Sequence, residues 1–129
     1  MRKLILSLIA VFCFTFFSSA QIVTTEPQYP TENDSIVVIF DATQPGASEL
    51  LNYTGTVYAH TGVNTNLGQW QHVIGNWGNN SSQPALTRLG QNTYKLTIGF
   101  PRSFYSVTNP SEKILQLANW KGLGSVQRY

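Results

Sequence analysis

Short apolar runs separated by prolines and turn residues dominate the chain after residue 20, and helical periodicity is almost absent there. Runs of this length between turn signals are typical of β-strands. The pattern predicts seven strands, at residues 22–25, 35–41, 56–61, 70–74, 86–89, 93–98 and 113–118. Seven short strands in roughly 100 residues favour an all-β, immunoglobulin-like β-sandwich with antiparallel strands.

Alternation is clearest at residues 93–98, where apolar side chains at the even positions alternate with polar ones at the odd positions. Side chains alternate along a strand, so one face of this strand would lie in the core and the other in solvent. A tight Gly-Gln-Asn connection at residues 90–92 predicts a hairpin with the preceding strand. Residues 36–40 are apolar on both faces, which indicates a central strand.

The first 20 residues follow the charged, apolar and small-residue order of a secretory signal peptide. Arg2 and Lys3 precede an apolar run at residues 4–17, and a stretch of small residues ends at Ala20. We therefore expect cleavage after Ala20, a mature domain at residues 21–129, and a protein that is secreted or at the cell-envelope exterior. The apolar run is shorter than the ~20 residues that cross a bilayer, so no membrane span is expected.

Charge and cysteine content narrow the classes of partner. The chain has eight basic and six acidic residues. Two of the basic residues, Arg2 and Lys3, belong to the predicted signal, so the mature domain is close to neutral. A neutral domain has no electrostatic footprint for nucleic acid or anionic membranes, and neither is expected as a partner. The only cysteine, Cys13, also lies in the signal, so disulfides cannot stabilise the mature domain.

Aromatic and histidine side chains recur on two predicted strands. At residues 56–61, Tyr58 and His60 share the face opposite the apolar residues, so both would point outward. Trp70 and His72 share a face of the next predicted strand, and adjacent strands would join these side chains into one exposed patch. Such a patch suits sugar, because aromatic rings pack on pyranose C–H faces and imidazoles bond hydroxyls. Aromatic residues of small sandwiches also pack in cores, so a structural role stays open.

No catalytic or metal site can be assembled from the mature sequence. Its two histidines lack the third His or Cys that a zinc site needs. Its six acidic residues show no pattern of paired general acid and base. Its serines lack the strand–turn–helix context of a nucleophile. We therefore expect no enzymatic activity, no metal and no cofactor.

Several motifs resemble a known family. These are Pro-Thr-Glu-Asn-Asp-Ser at 30–35, Tyr-Ala-His-Thr-Gly at 58–62, Trp-Gln-His-Val-Ile at 70–74 and the following Trp-Gly at 77–78. Together they resemble the N-terminal immunoglobulin-like domain of secreted Bacteroidetes α-amylase-type enzymes, the family 13 glycosidases. The resemblance reaches about Leu117 and so covers nearly the whole mature chain. It implies an accessory domain that is tethered to a catalytic barrel in a longer relative.

The arrangement of Tyr58, His60 and Trp70 is more distantly similar to starch-binding modules of carbohydrate-binding families 25 and 26. That similarity implies strand contacts with glucan at Tyr58 and His60 and a stacking contact at Trp70. We predict a non-catalytic module that binds α-glucan oligo- or polysaccharide weakly, with His72 and Trp77 as secondary contacts. The alternative is a structural immunoglobulin-like spacer or protein-interaction domain in which the same aromatic residues are buried.

The sequence departs from the family pattern after Leu117. Relatives continue with a Phe-rich strand and a catalytic barrel of ~250 residues, whereas here Asn-Trp-Lys-Gly follows at 119–122 and the sequence stops at Tyr129. We expect a truncated or frameshifted product. An unpaired edge strand near the C-terminus would then promote association.

Overall fold

The computed structural model describes residues 21–118 and 126–128. The predicted signal peptide and its cleavage position lie outside the described residues. The strands are β1 (Val23–Glu26), β2 (Ile36–Asp41), β3 (Val57–Ala59), β4 (Gly62–Thr65), β5 (Gly68–Gln71), β6 (Thr87–Gly90), β7 (Thr93–Gly99), β8 (Ile114–Ala118) and β9 (Val126–Arg128). A single helical turn, α1 (Pro101–Phe104), follows β7, and 3-10 turns lie at Ser48–Leu50 and Asn80–Ser82. Across the described ranges, no helix has the length and apolar character to span a membrane.

The strands pair in antiparallel fashion. One sheet has the order β1-β2-β7-β6, a second has the order β5-β4-β8, and β3 pairs with β9. A bridge between Tyr58 and Ala85 joins β3 to the segment before β6. The prediction of an all-β, immunoglobulin-like sandwich is confirmed.

A hydrophobic core forms between the sheets, and β2, β3 and β7 present alternate side chains to it. β2 lies between β1 and β7, as its two apolar faces predict. In β7 the apolar residues are buried, whereas Thr97 on the opposite face is exposed, which confirms the predicted alternation. The buried hydrophobic residues of the strands are Ile36, Val38, Phe40, Val57, Ala59, Val63, Tyr94, Leu96, Ile98 and Ile114. Burying each large side chain contributes about 1.5–3 kcal/mol before entropy is counted.

The predicted hairpin at residues 86–98 is present as β6 and β7. Its register shifts near Gly90, where the turn begins. Asn92 adopts a left-handed backbone with φ 67°, a conformation that asparagine tolerates better than most residues. The Asn92 side chain accepts a hydrogen bond from the Asn52 N–H at 2.6 Å, which ties the hairpin turn to a distant loop.

Two of the predicted strands differ from the structure by more than one residue at an end. The run at residues 56–61 is divided into β3 and β4, because His60 and Thr61 leave the ladder and the Thr61 carbonyl accepts a hydrogen bond from Ile74. The strand predicted at 70–74 is β5, which ends at Gln71. His72, directly after β5, has a positive φ angle of 51°, and the extended strand ends before it. Trp70, inside β5, also has a positive φ angle, 55°, in the part of the β4–β5 ladder where the register shifts.

A groove of about 620 Å³ lies between β1 and β8. Within the described residues, each of these strands has a paired neighbour on one edge only. Ile22, Val23, Ile114 and Leu117 contribute apolar lining. β8 is thus an edge strand within the described residues, and β9, which follows it in the chain, pairs with β3.

We expect the purified protein to associate reversibly as its concentration rises, because an edge strand offers backbone groups to a second chain. Leu115 on β8 is also 65% exposed. Light scattering after size exclusion, over a range of protein concentrations, measures this. Leu115→Lys should shift the protein towards monomer, since a charged side chain on an edge opposes pairing. Phe100→Lys, at a comparably exposed position outside the strands, is the matched control. A wild-type monomer at every concentration would contradict the prediction.

Candidate functional site

Three aromatic rings meet where β3 ends. The His60 imidazole centroid lies 5.3 Å from the Trp70 ring and 5.3 Å from the Trp77 ring, with interplanar angles of 59° and 70°. These three side chains are named here the Trp-His-Trp cluster. Tilted aromatic pairs at this spacing are favourable by about 0.5–1.5 kcal/mol beyond the area that they bury.

The cluster is exposed at its indoles and not at its imidazole. Trp77 is 56% exposed, Trp70 is half-buried and His60 is only 9% exposed. The expectation that His60 points freely into solvent is therefore corrected. Two indoles pack against the imidazole and bury it. Trp77, predicted as a secondary contact, is the most accessible member of the cluster.

Tyr58 and His72 lie outside the cluster. Tyr58 is half-buried in β3, where it pairs with Gln127 of β9 and bridges to Ala85. The His72 Nε2 atom lies 3.0 Å from the Glu112 Oε1 atom. In the part of the chain that the structure describes, neither ring contacts an aromatic ring of the cluster. The five predicted site residues are therefore not one continuous patch.

The His72–Glu112 contact ties the end of β5 to the loop before β8. Burial raises the pKa of the Glu112 carboxyl, but hydrogen bonds from His72 and Thr65 and the charge of Arg102 lower it by more. The pKa of Glu112 is therefore below its ordinary value, and the carboxylate is charged near neutral pH. Arg102 also donates to the Glu112 carbonyl oxygen at 2.6 Å. These contacts indicate a structural role for His72.

The backbone around Trp70 is held by a side chain of the neighbouring strand. The Asn64 Oδ1 atom accepts a hydrogen bond from the Trp70 N–H at 2.9 Å. This bond supports Trp70 in a left-handed conformation that a bulky residue seldom adopts. Asn64 is thus the residue of β4 that orients one of the two indoles.

The second indole lies on a loop whose shape depends on glycine. Gly75 and Gly78 flank this region with φ angles of 72° and 83°, which favour glycine. A Cβ atom at Gly75 would lie 2.9 Å from the Gln83 Cγ atom. The loop then enters the 3-10 turn at Asn80–Ser82, where Asn79 accepts the N–H of Ser81 at 3.0 Å.

Gln83, at the end of this loop, joins the cluster through its side-chain amide. Its Nε2 atom lies 2.8 Å from the Asn76 carbonyl oxygen and 3.0 Å from the His60 Nδ1 atom. The side chain is 6% exposed. Sequence reasoning missed Gln83, since it lies in a polar, turn-rich stretch with no periodicity to mark a buried residue.

The segment after Gln83 fixes its position against β3. The Ala59 N–H donates to the Pro84 carbonyl at 2.9 Å, and the Leu86 N–H donates to the Val57 carbonyl at 2.8 Å. These bonds hold the residues that follow the loop alongside the strand that precedes His60. The loop, β3 and β5 therefore meet at the cluster.

The cluster is electrically neutral near pH 7. Burial lowers the pKa of His60 below its ordinary value of 6.5, because the charged imidazolium loses hydration. Within the described ranges, no group of three or more His, Cys, Asp or Glu side chains is placed to hold a metal ion.

Comparisons with known proteins do not assign a family. No protein-family model matches the chain. No curated protein matches it either. The chemistry available to this site is therefore that of its own groups, namely two partly accessible indole faces beside an uncharged, hydrogen-bonded imidazole.

Proposed function

We propose that this protein is a non-catalytic accessory module that binds α-glucan weakly through the Trp-His-Trp cluster. The observation that carries the proposal is the pair of partly exposed indoles on either side of the His60 imidazole. Indole faces pack on the C–H faces of pyranose rings, and polar groups beside them bond the hydroxyls. An uncharged cluster suits an uncharged ligand.

Both indoles are within reach of one oligosaccharide. Each lies 5.3 Å from the same imidazole, so their centroids are at most twice that distance apart. Stacking contacts contribute roughly 1 kcal/mol each beyond area burial. Association costs several kcal/mol, so we expect an affinity between micromolar and millimolar.

The choice of α-glucan rests on the resemblance of Tyr58, His60 and Trp70 to starch-binding modules. The same resemblance supports export through residues 1–20 and attachment to a glycosidase domain in a longer relative. In that setting the module would keep a catalytic domain near its polymer. Trp77 replaces Tyr58 as a principal contact in this proposal, because its ring packs against the His60 imidazole.

The direct test is a titration of intrinsic tryptophan fluorescence in the purified protein with maltoheptaose, and with a cello-oligosaccharide as the control ligand. We expect a saturable change with the α-glucan alone. Sugar binding to the tryptophan variants is measured by calorimetric titration, because removing an indole changes the fluorescence itself. Trp70→Ala and Trp77→Ala should each weaken binding at least about tenfold, with circular dichroism unchanged.

Phe100→Ala is the matched control, because Phe100 is 58% exposed, close to the 56% of Trp77, and lies outside the cluster. It should bind maltoheptaose as the wild type does. A folded sample that does not respond to millimolar maltoheptaose would favour the alternative, a structural spacer or protein-interaction domain. The burial of His60 is the observation that favours that alternative.

A further inference from the structure

Gln83 offers the cluster a hydrogen bond of defined direction. We propose that Gln83 is a positioning residue that fixes His60 as the neutral tautomer with its proton on Nε2. The site would then present a hydrogen-bond donor to its ligand. The tautomer follows from the geometry alone, whereas the nature of the ligand rests on the proposed function.

The orientation of the Gln83 amide is set by the Asn76 carbonyl. A carbonyl oxygen can only accept, so the atom 2.8 Å from it must be the amide nitrogen. The same nitrogen lies 3.0 Å from the His60 Nδ1 atom. One amide hydrogen points to Asn76 and the other to His60. The His60 Nδ1 atom therefore accepts, and the proton of the neutral ring is on Nε2.

Rotating the amide by half a turn does not offer an equivalent arrangement. The Gln83 Oε1 atom would then face the Asn76 oxygen, and two acceptors would oppose each other. In the observed orientation the Oε1 atom is buried without a hydrogen-bond partner among the described residues. The two bonds donated by the nitrogen therefore determine the orientation.

The surrounding backbone leaves Gln83 little freedom to move away. Its own N–H donates to the Asn80 carbonyl at 3.2 Å. Gly75 passes so close that a Cβ atom there would meet the Gln83 Cγ atom at 2.9 Å. The position of the amide is thus set by both the 3-10 turn and the loop beneath it.

The opposite edge of the His60 ring is the only one left for a ligand, on a residue that is 9% exposed. Within the described residues, Nε2 of His60 has no hydrogen-bond partner, whereas Nδ1 is occupied by Gln83. With its proton on Nε2, His60 would donate to an acceptor held beside Trp70 and Trp77. A sugar hydroxyl, ring oxygen or glycosidic oxygen supplies such an acceptor.

Long-range proton–nitrogen NMR correlation on the purified, nitrogen-15-labelled protein tests the tautomer without any sugar. We expect a pyridine-type Nδ1 and a pyrrole-type Nε2 for His60 near pH 7.5, and loss of these signals in His60→Gln assigns them. His72, which bonds Glu112, is an internal reference in the same spectrum. A pyrrole-type Nδ1 in the wild type would overturn the proposal.

Gln83→Glu reverses the hydrogen bond at nearly constant size. A carboxylate can only accept, so the His60 proton should move to Nδ1, or the ring should become protonated at both nitrogens. Where Nε2 has lost its proton, maltoheptaose should bind about threefold to tenfold more weakly, the usual range for one lost hydrogen bond. Gln69→Glu, an exposed position on β5, introduces the same charge and should change neither spectrum nor affinity.

Gln83→Met provides a second variant if the glutamate prevents folding. It removes the donor, so His60 should show a mixture of its two tautomers. An unchanged Nε2–H tautomer in both variants would overturn the role of Gln83. The expected tautomers without any glucan binding would instead leave the role of Gln83 intact and contradict the proposed function.

Discussion

Replacing Tyr94 with alanine is expected to lower the free energy of unfolding by about 3–5 kcal/mol. Tyr94 is 1% exposed at the centre of the core. Its ring centroid lies 6.0 Å from that of Phe40 and 4.8 Å from the Arg88 guanidinium carbon. Its hydroxyl donates to the Tyr53 carbonyl at 3.3 Å. The substitution removes all of these contacts and leaves a cavity.

Urea denaturation followed by circular dichroism measures the loss. Tyr29→Ala is the control, because Tyr29 is 83% exposed and such surface changes are usually within about 0.5 kcal/mol. Tyr94→Phe keeps the ring and removes only the hydroxyl, so it should cost about 1 kcal/mol. A Tyr94→Ala protein as stable as Tyr29→Ala would show that Tyr94 does not pack as described.

Glu32→Ala is expected to lower the free energy of unfolding by roughly 1.5–3 kcal/mol, the range for hydrogen bonds to charged groups. Glu32 Oε2 accepts the N–H of Ile114 at 2.9 Å and pairs with the Arg102 Nη1 at 3.2 Å. The Glu32 side chain is 16% exposed. The contact joins the loop before β2 to the first residue of β8, so its loss frees a buried end of that strand.

The free energy of unfolding of the wild type should depend on pH below about 4.5 partly through Glu32. The hydrogen bond from Ile114 is the main cause that lowers the pKa of Glu32 below its ordinary 4.5, with Arg102 and Lys113 assisting and burial opposing. The folded state therefore binds fewer protons than the unfolded state in that range. Stability from Glu32 is complete above about pH 4.5 and is lost as the pH falls further.

Urea denaturation at several pH values checks the sign. The difference between wild type and Glu32→Ala should be largest near pH 7 and shrink below pH 4.5. Glu26→Ala, at an exposed residue of β1, controls for the loss of a carboxylate. A difference that grows on acidification would contradict the assigned direction of the pKa change.

The strands that the sequence predicts well are those in which apolar and polar residues alternate without interruption. Residues 93–98 alternate without interruption, and β7 is present as predicted. Residues 56–61 read as one strand because the sequence does not reveal that His60 and Thr61 leave the ladder. The end of β5 is not predictable for a similar reason, since the positive φ angle at His72 depends on tertiary contacts that residue propensities do not encode.

The candidate site was predictable in its residue types but not in its geometry. Alternation places His60 on the outer face, whereas its burial comes from Trp70 of β5 and from Trp77 of the following loop. That loop reads as polar surface, so the sequence does not indicate that Gln83 is buried. His72 shares the spacing of Trp70 and yet pairs with Glu112, because the strand ends at Gln71 and the backbone of His72 is left-handed.

Strand pairing in this sandwich joins parts of the chain that are synthesised far apart. β3 pairs with β9, and the Glu32 contact with Ile114 spans 82 positions. Loops of that length must close before their contacts stabilise anything, so proteins of this topology fold in milliseconds to seconds and not in microseconds. During that interval the edge of β3 that pairs with β9 is unpaired. We therefore expect the pairing of β3 with β9, beside the Trp-His-Trp cluster, to be among the late steps of folding.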